Sequence, residues 1–162
     1  DVTHAQQLIE QLPWVKQATI RRVWPDTIAI QIDEQQAMAV WSAGGLLNKQ
    51  GELFLPQASS YPKGLLVFTA PQGMHADVIM HYQDLSAMLA AIKLSISSIE
   101  MDARHALSVM LGNGVELKLG RQDVLARMQR FVNVYPQLQA QQAKSLVRVD
   151  LRYTNGLAVT WK

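Results

Sequence analysis

The chain has 162 residues, 49% of them hydrophobic, enough to bury a sizeable core in one ordinary domain or two small ones. It has no cysteine, which excludes a disulfide framework, a thiolate nucleophile and a thiolate metal site. Fifteen Lys and Arg stand against thirteen Asp and Glu, and a net charge of +2 from scattered basic residues excludes the electrostatic footprint of a general nucleic-acid binder.

No run approaches the roughly 18 apolar residues that a membrane-crossing helix needs, and the opening DVTHAQQLIEQL does not resemble a signal peptide. It predicts a helix capped by Thr3, with Leu8, Ile9 and Leu12 on one stripe and Pro13 as its stop. A chain that starts directly on a helix reads as a fragment of something longer. Two strands follow, VKQATIRRV over 15–23 and TIAIQIDE over 27–34, joined by a tight turn at Trp24-Pro25-Asp26. In the second, Ile28, Ile30 and Ile32 face one way.

After Gln36 come short strands, AMAVWSA, ELFLP and GLLVFTA, with turns at Gly44-Gly45 and Gln50-Gly51 and a polar loop between Pro56 and Pro62. Two amphipathic helices are predicted. His75 to Lys93 carries Val78, Tyr82, Leu85, Leu89 and Ile92 on one face; Gln122 to Gln139 carries Val124 or Leu125, Met128, Phe131, Val132 and Tyr135. Strands around two turns lie between them, the second turn at Asn113-Gly114. The patch QAQQAK, residues 139–144, ends the second helix and starts a loop, and the chain closes on VRVDLRY and LAVTW around Asn155-Gly156. The pattern predicts an α+β fold: a mostly antiparallel sheet with the two long helices packed on one side.

Residues that carry chemistry are not grouped. The histidines at 4, 75, 81 and 105 lack metal-ligand spacing, since His75 and His81, six apart, do not share a helix face as an i, i+4 pair would. GNGVELKLG joins two strands rather than opening a helix, so it reads as a hairpin and not a phosphate loop. No nucleophile elbow or triad is visible, and Glu34, Glu52, Glu100 and Glu116 have no reason in the sequence to meet. Neither a catalytic group nor a cofactor or metal site is expected. Met74, Met80 and Met88, in or beside the first long helix, read as core.

Residues 12–41, LPWVKQATIRRVWPDTIAIQIDEQQAMAVW, resemble the signature of the FtsQ/DivIB family of bacterial cell-division proteins. The resemblance is carried by Pro13-Trp14-Val15, Arg21-Arg22, Trp24-Pro25, the alternating strand, Glu34 and Trp41. Leu47-Asn48-x-x-Gly51-x-x-Phe54 and the C-terminal VDLRY followed by Gly and Trp extend it over nearly the whole chain. It implies a partial POTRA domain (helix and two strands) over residues 1–35, whose first strand and helix would lie upstream, and a β domain over residues 36–162. Residues 1–35 are expected to be a less stable remnant packed against the β domain.

The family role so implied is a non-enzymatic scaffold of the inner membrane, single-pass through a helix absent from this chain, with this region in the periplasm at the division septum. Implied partners are FtsB, held directly by a strand added at the C-terminal edge, and FtsL, with other divisome proteins at the POTRA region. The residues expected to hold FtsB are Tyr153 as anchor, Arg152 and Arg104 as forked donors to partner carboxylates, and Asn155 and Gly156 as the turn, Gly156 with φ > 0. Trp161 is expected to pack in the sheet, and Trp14, Trp24 and Trp41 to be structural. Which strand of the closing hairpin is outermost stays open. So do two other function classes, a POTRA-type periplasmic assembly module and a periplasmic enzyme with a dispersed site.

Overall fold

The opening stripe folds as α1, Val2–Glu10, but its cap is Asp1 rather than Thr3: the Asp1 carboxylate accepts the Thr3 N–H at 3.1 Å. Asp1 is better placed because an N-cap oxygen must reach back to the amide two residues on. The computed structural model describes residues 1–141 and 145–162, so the end of the QAQQAK patch lies outside the described residues. The chain divides into two units, residues 1–40 with 44–65 and residues 41–43 with 66–162.

In the first unit, β1 (Val15–Val23) and β2 (Thr27–Glu34) form an antiparallel pair that sets Ile20 opposite Ile30 and Ala18 opposite Ile32. Glu10 ties α1 to β1 by accepting the Ala18 N–H at 2.9 Å. Trp24, expected to be structural, is instead 91% exposed, because the turn carries it past the ends of both strands. β3 (Ala37–Trp41), β4 (Leu46–Asn48) and β5 (Leu53–Phe54) follow as an antiparallel meander.

Asn48 explains the second segment of the family resemblance. It is fully buried, and its Oδ1 accepts the N–H groups of Gln50 at 3.0 Å and Glu52 at 2.8 Å. Its Nδ2 donates to Gln35 and Glu52. The turn so held needs Gly51 at φ +84°, and it delivers Phe54 edge-on to Trp14 at 5.2 Å.

The second unit contains β6 (Leu66–Thr69), α2 (His75–Ala90), β7 (Ile96–Met101), β8 (Leu107–Leu111), β9 (Glu116–Gly120), α3 (Val124–Ala140), β10 (Leu146–Asp150) and β11 (Ala158–Trp161). Its strands run in the order β11-β10-β9-β8-β7-β6. Two of the pairings are parallel, β6 with β7 and β9 with β10, and each encloses one long helix. A parallel pair cannot be closed by a tight turn, so α2 and α3 serve as crossovers. They pack on each other and on the sheet.

Register makes the sheet two-faced. Phe68, Ile99, Val109, Leu117, Val149 and Val159 stand opposite one another across all six strands, the first five buried. Flanking rows of Thr69, Glu100, Ser108, Lys118 and Asp150, and of Ser98, Met110, Glu116 and Arg148, take the other face. Val78, Ile79, Leu85 and Leu89 of α2 and Val124, Met128, Phe131 and Tyr135 of α3 are buried, so the 124/125 alternative resolves to Val124. Each such side chain contributes about 1.5–3 kcal/mol on burial. The methionines depart from the core expectation: Met80 is 63% exposed, and Met74 and Met88 are half-buried. Met80 follows the buried pair Val78 and Ile79 by one and two positions, which turns it away from that stripe.

Asn48→Ala removes a fully buried acceptor from the part-buried amides of Gln50 and Glu52. It is expected to lower unfolding free energy by about 2–4 kcal/mol in chemical denaturation.

Candidate binding edge

β7, β9 and β10 point the same way, because β7 and β9 flank the antiparallel β8 and β10 runs parallel to β9. Their C-terminal ends therefore lie at one end of the sheet, together with the start of α3 and the loop leading into β11. Four arginines from these separate segments line one depression of about 470 Å³: Arg104 from the β7–β8 turn, Arg121 from the β9–α3 link, Arg127 from α3 and Arg152 from the loop after β10. The N-terminus of α3 adds its own partial positive charge.

Each wall has a local cause. The Asp102 carboxylate accepts the N–H groups of Arg104 at 2.8 Å and Ala106 at 2.9 Å, which closes the turn and holds that carboxyl below its ordinary range, the Ala106 amide foremost. Arg127 donates through Nη1 to the Leu119 carbonyl at 2.7 Å. Gly120, at φ +71°, leaves the room: a Cβ there would stand 2.7 Å from Arg127 Nη1 and 3.2 Å from Arg152 Cγ. Arg152 forks onto Asp150, Nε to Oδ1 at 2.9 Å and Nη2 to Oδ2 at 2.7 Å. That fork, above all, holds the Asp150 carboxyl below its ordinary range. Arg104 and Arg121 have no carboxylate partner among the described residues.

The closing hairpin differs from its expected form. VRVDLRY leaves the ladder at Asp150, and residues 151–157 form a wide loop instead of a two-residue turn at Asn155-Gly156. The cause is Asp150, which accepts the Arg152 N–H at 3.1 Å and turns the chain outward. Gly156 consequently has no positive φ, and a Cβ there would meet nothing within 4 Å, so the expected strain is absent. Tyr153 lies in the loop, 53% exposed, with Asn155 exposed beside it. Trp161 does belong to the sheet, in β11.

The outermost strand is β11, which among the described residues pairs only with β10. Lys162 donates its N–H to the Ser145 carbonyl at 2.8 Å, on the β10 side. By the alternation of a strand, the backbone groups of Thr160 and Ala158 also face β10, and those of Val159 and Trp161 face outward.

Arg104 and Arg152 are thus brought together, and Tyr153, Asn155 and Gly156 share the adjoining loop. Arg121, Arg127 and Arg130 were not legible as site residues. Arg127 and Arg130 lie three apart on α3, a spacing that reads in sequence as an ordinary solvated face. Among the described residues no group of His, Cys, Asp and Glu could hold a metal ion, and no helix is long and apolar enough to cross a membrane.

Because the folded Asp102 and Asp150 carboxyls are held low, their stabilisation is present above the ordinary carboxylate range and is lost as pH falls through the lowered values. Asp150→Asn is expected to flatten the loss of stability below about pH 4 in an acid denaturation series, relative to the unaltered chain.

The FtsQ/DivIB C-terminal family profile, described as that of a cell division protein, matches residues 39–152, and the FtsQ-type POTRA profile matches residues 1–35. The chain is 42% identical over 163 residues to the cell division protein FtsQ of Shewanella oneidensis, covering 99% of this chain and 61% of that protein. It is 34% identical to FtsQ of Vibrio cholerae, over 99% of this chain and 62% of the relative. Against FtsQ of Xanthomonas campestris the identity is 38%, over 96% of this chain and 55% of the relative. The chain spans about three fifths of the length of the curated relatives it matches. On these matches and on the α+β fold that accompanies them, the chain belongs to the FtsQ/DivIB family of cell-division proteins.

Proposed function

We propose that this chain is the periplasmic part of a non-enzymatic division scaffold, anchored in the inner membrane by a helix outside this sequence and acting at the septum. It holds FtsB, and FtsL through FtsB, by accepting an FtsB strand on the outer edge of β11. In this reading residues 1–35 are the POTRA remnant and offer a surface to other divisome proteins, and residues 36–162 form the partner-holding β domain.

The observation that carries the reading is the free edge of β11 lying in continuity with the loop of Tyr153 and the arginines of the depression. An unpaired edge is a template for a further strand, and each bond it makes contributes about 0.5–1.5 kcal/mol net. Backbone pairing does not distinguish sequences, so selection falls to side chains. Tyr153 supplies a large ring with few rotors at the point where the incoming segment would leave the edge. Arg104 and Arg121 offer uncommitted guanidinium groups to carboxylates of that segment, whereas Arg152 must first share or surrender Asp150. Clustered like charge makes the approach of an acidic segment faster at low salt.

A titration with co-expressed FtsB–FtsL tests the reading. Tyr153→Ala is expected to weaken capture by about tenfold or more. Val159→Pro, which removes an outward N–H and no ladder bond, is expected to abolish it with a smaller drop in thermal stability than a substitution further along the apolar row would cause, since Val159 is only half-covered at the row's end. Equal capture by the unaltered chain and both variants would contradict strand addition.

A further inference from the structure

Arg130 is placed to hold the recognition loop in shape. From α3 its Nη1 donates to the carbonyls of Tyr153 at 2.9 Å and Gly156 at 2.8 Å, and its Nη2 to that of Thr154 at 3.0 Å. Among the described residues no carboxylate lies within ion-pair reach of it, so its hydrogen-bonding is directed to this loop. The loop has little else. Residues 152–157 make no backbone–backbone hydrogen bond to one another among the described residues, and none of their side chains is buried. A segment with few buried contacts and no internal backbone bonds is drawn from the low-stability end of a fold. A planar fork with several fixed donors meets three carbonyls that point at one spot better than a lysine ammonium on its flexible stem does.

We infer that Arg130 is a positioning residue for partner capture: its three-carbonyl clamp pre-forms the 151–157 loop so that Tyr153 is presented in its binding conformation. This rests on the docking reading above. Fixing the loop before binding removes an ordering cost from association, and the effect passes through Tyr153 rather than through contact of Arg130 with the partner.

The test uses the full chain with the co-expressed FtsB–FtsL complex as probe. Arg130→Met keeps the aliphatic stem and helix propensity but removes the donors. It is expected to lower backbone order at residues 152–157 by NMR relaxation and to weaken capture about tenfold, with Arg130→Lys recovering only part of either. In a Tyr153→Ala background Arg130→Met is expected to cause almost no further loss, since both changes remove the same presented ring. A merely structural role would instead add its full effect in that background. If the unaltered chain captures the complex and Arg130→Met captures it equally, or the loop keeps its order, the inference is overturned alone. If the unaltered chain captures nothing, the docking reading falls and takes the recognition role of Arg130 with it.

Discussion

One apolar row holds the second unit together. Phe68, Ile99, Val109, Leu117, Val149 and Val159 are in register across six strands, and their neighbours along each strand fall into polar rows on the opposite face. Such a sheet has only one face to bury, so both helices must lie on that face, and each must return the chain to a strand running parallel to the one it left. The two antiparallel pairings of β8 align β7 with β9, and the parallel return through α3 aligns β10 with them. Once those strands agree in direction, their ends, the start of α3 and the final loop meet at one end of the sheet, and four arginines distant in sequence come to line one depression. The row also ends half-covered at Val159, where the ladder stops at β11.

The depression holds like charges together at some cost in mutual repulsion, which the structure meets unevenly. Arg127 is tied to a backbone carbonyl and Arg152 to a carboxylate, while Arg104 and Arg121 stay uncommitted. The tethered pair shapes the walls, and in the proposed docking the uncommitted pair is the one left to attract carboxylates. Beside them the loop of residues 151–157 is ordered less by its own contacts than by Arg130 from below and by the turn at Asp150 before it. The surface is thus positioned by its neighbours and left open to solvent.

Much of this was legible in the residues. The 3.6-residue stripes predicted α2 and α3 to within a few positions at each end, and alternation located the strands. The motif Leu47-Asn48-x-x-Gly51-x-x-Phe54 was visible as a pattern, but its reason, a buried amide closing a turn with a left-handed glycine, appears only in three dimensions. The parallel pairings went unread although a long helix between two short strands is the usual sign of a crossover. Asn155-Gly156 suggested a tight hairpin because that dipeptide so often makes one, and Asp150, five residues earlier, had already turned the chain. Arg104 and Arg152 were singled out through resemblance. Arg121, Arg127 and Arg130 were not, since a guanidinium that bonds a distant carbonyl leaves no local periodic trace.

In the proposed docking a partner strand pairs with the outer edge of β11. Amide hydrogen exchange of the chain, free and with FtsB–FtsL bound, reads that edge directly. The Val159 and Trp161 amides, which face outward in the free chain, are expected to become protected on binding, while those of Thr160 and Ala158, already in the ladder, change little. Binding that leaves the Val159 and Trp161 amides as fast as before would contradict that docking.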